Sequence, residues 1–187
     1  HVLSLSNLTE SGAAYTPAEI AERAALAHAG GLTLHLDGAR LANALASTGA
    51  TPAEMTWRAG VDVLCFGATK NGALGCEAII LFGAARQRFH ELKIRAKRAG
   101  HMPPKMRFLA AQMSAYLKDN LWLDLARRAN TSAIGLASAL TRSGAELTHP
   151  VDGNEVFAML PPGAAPRLSR LVPQHKMRAM VYTAKNA

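Results

Sequence analysis

Three apolar runs of strand length, Leu32–Leu36, Val61–Phe66 and Glu77–Phe82, alternate with segments that carry helix-start signals. Strands of a parallel sheet are covered on both faces and so read as near-continuous apolar runs, with the intervening segments supplying crossover helices. The pattern predicts an α/β layered sheet with mainly parallel pairing. Val2–Ser6, VLSLS, alternates as a further short strand does.

The helix signals are specific. Thr16 is placed to cap a helix, with Pro17 at its first position and Glu19 in its first turn, so a helix is expected over 17–29 and closed by Gly30-Gly31. The same Thr-Pro-Ala-Glu order at Thr51–Glu54 opens a short helix, and 41–48 reads as another. A basic helix is expected over 84–99, ended by Gly100 and Pro103-Pro104. Helices are expected over 105–118 and 121–143, then strands over 145–148 and 155–160 around the turn PVDGN. The change from βα alternation to helices and a strand pair places a domain change near Asp119-Asn120. From Leu171 onward the chain is basic and without periodicity, and is expected to be a disordered tail or out of register with the rest.

A chain of 187 residues can bury one substantial core, or one core and a small appendage. At 49% hydrophobic, 18% charged and 5% aromatic, with Ala and Leu abundant, it favours helices packed on a sheet over an all-β design, and reads as a cytoplasmic globular protein. No run approaches the roughly 18 apolar residues of a helical membrane span, and no partnership with a membrane is expected. The start, His1-Val2-Leu3, has no initiator Met and no signal pattern, so the true N-terminus is expected upstream. Cys65 and Cys76 fit neither a zinc ribbon nor a disulfide framework and read as buried, reduced thiols; no metal site is expected.

The net charge of +8 raises the question of nucleic acid, yet most of the charge is diffuse. Its densest part, Arg86–Arg107, lacks the aromatic interleaving of single-strand binders, so a nucleic-acid partner is not expected. Taken alone it reads as a solvated helix face, with a polyanion site or a pocket for a phosphorylated small molecule as alternatives.

Ligands of open α/β sheets bind beyond the carboxyl ends of the strands, and two such ends carry charge. LHLDGAR ends a strand in Asp37, and CFGATK ends the next in Lys70. Lysine forms a Schiff base with an aldehyde, and in pyridoxal phosphate enzymes an acid keeps the ring nitrogen protonated so that the ring acts as an electron sink. Arg40, planar and permanently charged, suits a bidentate grip on an amino-acid carboxylate. Against these stand plain structural readings: an Asp37–Lys70 or Asp37–Arg40 ion pair, with Lys70 an ordinary turn residue.

LHLDGARLANA followed by DVLCFGATKNGALG resembles the low-specificity L-threonine aldolases of the β-eliminating lyase group, pyridoxal phosphate enzymes of the aspartate aminotransferase fold (fold-type I), over roughly residues 1–160. The resemblance implies that Asp37 pairs with the pyridine nitrogen, Lys70 is the catalytic lysine joined to pyridoxal 5'-phosphate, and Arg40 binds the substrate carboxylate. Arg107 would serve the cofactor phosphate region, often from a neighbouring subunit, with Lys97 and Arg98 as weaker candidates; here Pro103-Pro104-Lys105 replaces the glycine-rich turn of the family. The implied reaction cleaves L-threonine, L-allo-threonine or a related β-hydroxy-α-amino acid to glycine and an aldehyde, in a homotetramer. Thr9 stands near the place where many members carry a histidine by the substrate hydroxyl, and no base is assigned. By this likeness residues 1–118 are the C-terminal part of the cofactor domain and 119–187 a partial small domain. The phosphate-cradling Gly and Thr, the ring-stacking histidine and an N-terminal serine of the family would lie upstream of His1, and MRAMVYTAKNA offers no counterpart of its second carboxylate-binding arginine. A complete site is therefore not expected in this chain alone. The alternatives are another fold-type I lyase or aminotransferase, or a non-catalytic basic binding module.

Overall fold

The computed structural model describes residues 1–164. Its elements are strand β1 (Val2–Ser6), helix α1 (Pro17–Ala29), β2 (Thr33–Gly38), α2 (Leu41–Thr48), α3 (Pro52–Met55), β3 (Val63–Gly67), β4 (Glu77–Leu81), α4 (Phe89–Arg98), α5 (Arg107–Leu117), α6 (Leu121–Arg142), β5 (Glu146–Leu147) and β6 (Ala158–Met159). Short 3₁₀ turns cover Trp57–Ala59, Thr69–Asn71, Gly83–Arg88 and Lys118–Asn120.

Both Thr-Pro-Ala-Glu segments form capping boxes. Thr16 Oγ1 accepts from Glu19 N while the Glu19 carboxylate accepts from Thr16 N, and Thr51 with Glu54 repeats the arrangement. These bonds satisfy amides that the first helical turn would otherwise leave open. At the far end of α1 the left-handed residue is Gly31 (φ 69°), and Leu32 N returns to Ala27 O at 2.8 Å. That closure turns the chain directly into β2.

The main sheet has the order β1-β2-β3-β4, with β1, β2 and β3 parallel and β4 antiparallel to β3. The mainly parallel α/β sheet expected from the alternation is thus present, and the reversal at β4 has a plain cause. Only residues 68–76 separate β3 from β4, fewer than the dozen or so that a parallel crossover requires. Leu34, Leu36, Leu64 and Phe66 point to one face, where they pack with Ile20, Leu41, Leu45 and Met55 from the helices. The other face presents Ser4, Thr33, His35, Val63, Cys65 and Ile79, and it stays half-buried or exposed.

Three expectations need correction. The basic helix does not run unbroken over 84–99: Gly83–Arg88 is 3₁₀, and α4 begins at Phe89 with no buried residue. The strands expected over 145–148 and 155–160 shrink to β5 and β6, paired antiparallel, because residues 151–157 instead pack on the loop after β1. Of the two cysteines only Cys76 is fully buried; both are free thiols. The segment from Leu171, for which disorder or a register shift was expected, lies outside the described residues.

Helices α5 and α6 meet at Lys118–Asn120, where Asp119 (φ 51°) and Asn120 (φ 59°) take left-handed conformations. Tyr116 and Trp122, on either side of this bend, close on Phe66 of β3 with ring centroids 6.0 and 5.4 Å away. Further along α6, Asn130 and Asn43 are both buried and satisfy each other: Asn43 Nδ2 donates to Asn130 Oδ1 (2.8 Å), and Asn130 Nδ2 to Asn43 O (3.0 Å). The long helix is thereby locked to α2, beside the strand end that carries Asp37. Among the described residues no helix is long and apolar enough to cross a membrane.

Candidate active site

Asp37 and Lys70 lie at the carboxyl ends of neighbouring parallel strands, and the turns that follow these strands touch. Gly67 makes the approach possible, since a Cβ there would lie 2.8 Å from Ala39 Cα and 2.8 Å from Glu77 Oε2. The Asp-Gly-Ala-Arg turn and the turn bearing Lys70 are consequently one local structure.

Asp37 is half-buried between Ser6 of β1 and Cys65 of β3 in the sheet register. Its Oδ1 accepts from Ala39 N at 2.9 Å, which shapes the turn, while Oδ2 has no hydrogen-bond partner among the described residues. The neighbouring thiol registers this environment: burial first, then the Asp37 charge, then that of Glu77, push Cys65 above the ordinary thiol range. Behind it the same sheet face carries a chain of contacts from Ser4 Oγ to His35 Nδ1 (2.8 Å) and from His35 Nε2 to Cys65 Sγ (3.3 Å).

Lys70 is exposed, and among the described residues it joins no ion pair. The turn around it is tied down on both sides. Cys76 N donates to Thr69 Oγ1 (3.1 Å), and Asn71 Nδ2 donates to Tyr116 Oη (2.7 Å) and to Trp122 O (2.8 Å). The lysine is therefore presented by a fixed backbone while its amine has no partner among the described residues.

Neither structural alternative for the charged trio forms: Asp37 pairs with neither Lys70 nor Arg40 among the described residues. Arg40 instead reaches Glu155, with Nη2 and Oε1 2.6 Å apart. Glu155 comes from the turn before β6 and rests against Gly12 of the loop after β1. Its importance could not be read in the sequence, because only the folding back of the 150–157 segment brings it to Arg40. Asn71 stood within the Lys-Asn-Gly segment, but its role depends on where Tyr116 and Trp122 come to lie.

Arg107, at the start of α5, is exposed and stacks on the Phe108 ring with its guanidinium carbon 4.5 Å from the centroid. Lys97 and Arg98 are exposed on the last turn of α4. The structure does not bring these cations to Asp37 or Lys70 through any hydrogen bond or ion pair among the described residues. The Thr9 hydroxyl contacts Ser11 Oγ (3.1 Å) and accepts from Ala13 N (3.1 Å), so it serves to close the loop after β1.

A pyridoxal phosphate group needs a free amine for its aldehyde and a free carboxylate oxygen for its ring nitrogen. Lys70 and Asp37 Oδ2 meet both requirements at adjacent strand ends, so the residues present fit the group. Among the described residues no cluster of three or more His, Cys, Asp or Glu side chains is arranged to hold a metal ion. A cavity of about 580 Å³ lies at the opposite end of the strands, lined by Val2, Thr33, Val63, Leu81 and Arg88 among others, away from this site.

Residues 1–161 match the family described as beta-eliminating lyase. The chain belongs to the beta-eliminating lyase family. Within that setting it is 44% identical over 160 residues to a low specificity L-threonine aldolase from a Pseudomonas species, and 45% identical over 160 residues to another from Pseudomonas aeruginosa. Each match covers 85% of this chain and 46% of the relative, so the chain spans about half the length of the curated relatives it matches. The solved structure of Leishmania major threonine aldolase superposes with a TM-score of 0.78 at 31% identity, covering 90% of this chain and 49% of that one. The resemblance on which the sequence analysis rested is thus borne out, as is the α/β fold that it implied.

Proposed function

We propose that this lyase-family chain supplies the catalytic lysine and the ring-nitrogen acid of a pyridoxal 5'-phosphate-dependent aldolase that cleaves L-threonine, L-allo-threonine or related β-hydroxy-α-amino acids to glycine and an aldehyde. The observation that carries the reading is the close approach of the two strand ends at Gly67 and Ala39, which puts a lysine without an ion pair among the described residues and a half-buried, half-satisfied carboxylate on adjoining strand ends. When bound, the cofactor supplies an electron sink for breaking the Cα–Cβ bond.

The residues of the chain supply the rest. Lys70 would hold the cofactor through its side-chain amine, a group that can also carry a proton. Asp37 Oδ2 would keep the ring nitrogen protonated, and its half-buried setting would strengthen that interaction relative to water. Arg40 Nε, buried and without a hydrogen-bond partner among the described residues, is the donor assigned to the substrate carboxylate. Arg107, exposed at a helix start, is assigned to the phosphate region of a neighbouring subunit in a homotetramer. The same reading treats 1–118 as part of a cofactor domain and 119–187 as part of a smaller one, joined at the Asp119-Asn120 bend.

Expressed from its full reading frame, the protein should take up pyridoxal phosphate, absorb near the visible edge, and release glycine and an aldehyde from L-threonine. Lys70→Ala should abolish the band, and Asp37→Asn should keep it while lowering kcat by about 100-fold or more, the scale of a lost proton-holding group. A protein that binds no pyridoxal phosphate sinks the proposal. Tight heparin binding that falls steeply with salt, in place of cofactor uptake, would favour the basic binding module.

A further inference from the structure

Glu10 brings a further carboxylate to the strand ends that carry Asp37 and Lys70. It lies in the loop after β1, where Gly12 N donates to Thr9 O at 3.0 Å and Thr9 N to Ala13 O at 2.9 Å. Residue 10 is therefore the first of the two tip residues of a tight turn, a place from which side chains ordinarily run out into solvent. The Glu10 side chain turns back instead: Ser6 Oγ donates to its Oε1 at 3.1 Å.

Ser6 fixes where that carboxylate sits. In the parallel pairing of β1 with β2, Ser6 is the register partner of Asp37, and Asn7 N donates to Asp37 O at 3.0 Å. Partners in register project on the same face of a sheet, from strands about 4.8 Å apart. The Glu10 carboxylate is thus held over the end of β1, on the face from which Asp37 projects. The loop is pinned on both sides of it. The buried Asn7 side chain accepts from Tyr15 N (3.1 Å) and donates to Tyr15 O (3.2 Å), while Gly12, left-handed at φ 81°, rests on Glu155, the partner of Arg40. One short loop therefore spans from the Asp37 strand end to the Arg40 corner, with Glu10 between its two anchors.

The hydroxyls beside Glu10 are already engaged. Thr9 Oγ1 accepts from Ala13 N and contacts Ser11 Oγ, and Ser6 Oγ gives its proton to Glu10. Glu10 keeps Oε2 without a hydrogen-bond or ion-pair partner among the described residues, and the side chain is exposed, so a ligand can reach it. An ionised carboxylate only accepts, so the group it takes is one with a proton to share.

We propose that Glu10 is a catalytic residue: its Oε2 binds the β-hydroxyl of the amino-acid substrate and takes the hydroxyl proton as the Cα–Cβ bond breaks. This deepens the aldolase reading and rests on it. The hydroxyl proton passes to Oε2, and the O–H electron pair becomes the second carbon–oxygen bond of the aldehyde. The pair of the broken Cα–Cβ bond ends in the new Cα–H bond of glycine, whose proton comes from the Lys70 amine. The exposed carboxyl then gives its proton to water, and the amine regains one from water.

The test uses the cofactor-loaded protein from its full reading frame, as wild type, Glu10→Gln and Glu10→Ala. Three quantities are followed: cleavage of L-threonine, exchange of the glycine α-hydrogen with deuterium oxide by NMR, and ligand binding through the cofactor absorbance. Glu10→Gln keeps an acceptor for the hydroxyl but cannot take its proton, so kcat for L-threonine should fall by about 100-fold or more while KM stays within about threefold. Glycine exchange involves no hydroxyl and should stay within about threefold of wild type in both variants. Glu10→Ala removes the acceptor as well and should weaken L-serine about tenfold relative to glycine, the scale of a hydrogen bond to a charged group. Equal losses of cleavage and exchange would make Glu10 a structural group, and undiminished cleavage in Glu10→Gln would make it a bystander; either result overturns the proposal. If the wild type exchanges glycine hydrogen yet cleaves no β-hydroxy-α-amino acid, the aldolase reading itself fails and the role of Glu10 falls with it.

Discussion

At the scale of single residues, the charge of Asp37 is felt most directly by Cys65. Burial and the carboxylates of Asp37 and Glu77 hold the thiol protonated beyond its ordinary range. Alkylation of Cys65 should therefore be slow at pH 8 relative to a free thiol, because the thiolate is the reactive form. Asp37→Asn removes one of the two opposing charges and should speed the reaction, as followed by mass spectrometry; an unchanged rate would show that the carboxylate is not beside the thiol. The sign for stability follows the raised folded value. The contribution of Cys65 is fully present below the ordinary thiol pKa and is lost as pH rises through the folded one. Asn71 acts on geometry instead. Its amide holds the Lys70 turn to Tyr116 and Trp122, so Asn71→Leu should cost about 1–3 kcal/mol in a denaturant titration by removing both hydrogen bonds.

At the scale of elements, caps and glycines decide where helices begin and end. Thr16→Ala should lower stability by about 1 kcal/mol, seen as a lower melting temperature, because it opens the box that starts α1. Hydrogen bonds from Thr16, backbone first and then side chain, hold Glu19 below the ordinary carboxylate range. The stabilisation from that carboxylate is therefore lost as pH falls through its folded value. These helices were legible because a cap, a proline and an acid act within a few residues of one another. Helix α4 was less so: a run of charge looks helical throughout, and nothing in it marked the 3₁₀ entry over Gly83–Arg88. The antiparallel direction of β4 was likewise hidden in an apolar run, since direction depends on the length and path of the connection rather than on the strand.

At the scale of the whole molecule, one sheet face is packed and the other is open. Phe66, Tyr116 and Trp122 tie β3 to α5 and α6 by mutual aromatic contact. Trp122→Ala should consequently cost about 3–5 kcal/mol and loosen the Lys70 turn with it. On the open side Ile79 is 51% exposed, and elsewhere Leu74, Phe89 and Phe108 are exposed at 97%, 63% and 58%. Surfaces of this kind mark contacts still to be made. The 187-residue chain on its own should bind a hydrophobic dye and associate with rising concentration in sedimentation; a monomer without dye binding would contradict this.

The amino-acid order by itself determined the α/β class, the helix starts at Thr16 and Thr51, and the strand ends that carry Asp37 and Lys70, because each depends on signals a few residues apart. Only the tertiary structure decided that Arg40 meets Glu155, that Asn71 is held by Tyr116 and Trp122, and that Gly67 lets the two charged turns touch. Those contacts join segments far apart in the chain, so no local pattern encodes them. They exist because the packing of strands and helices brings these separate segments into contact.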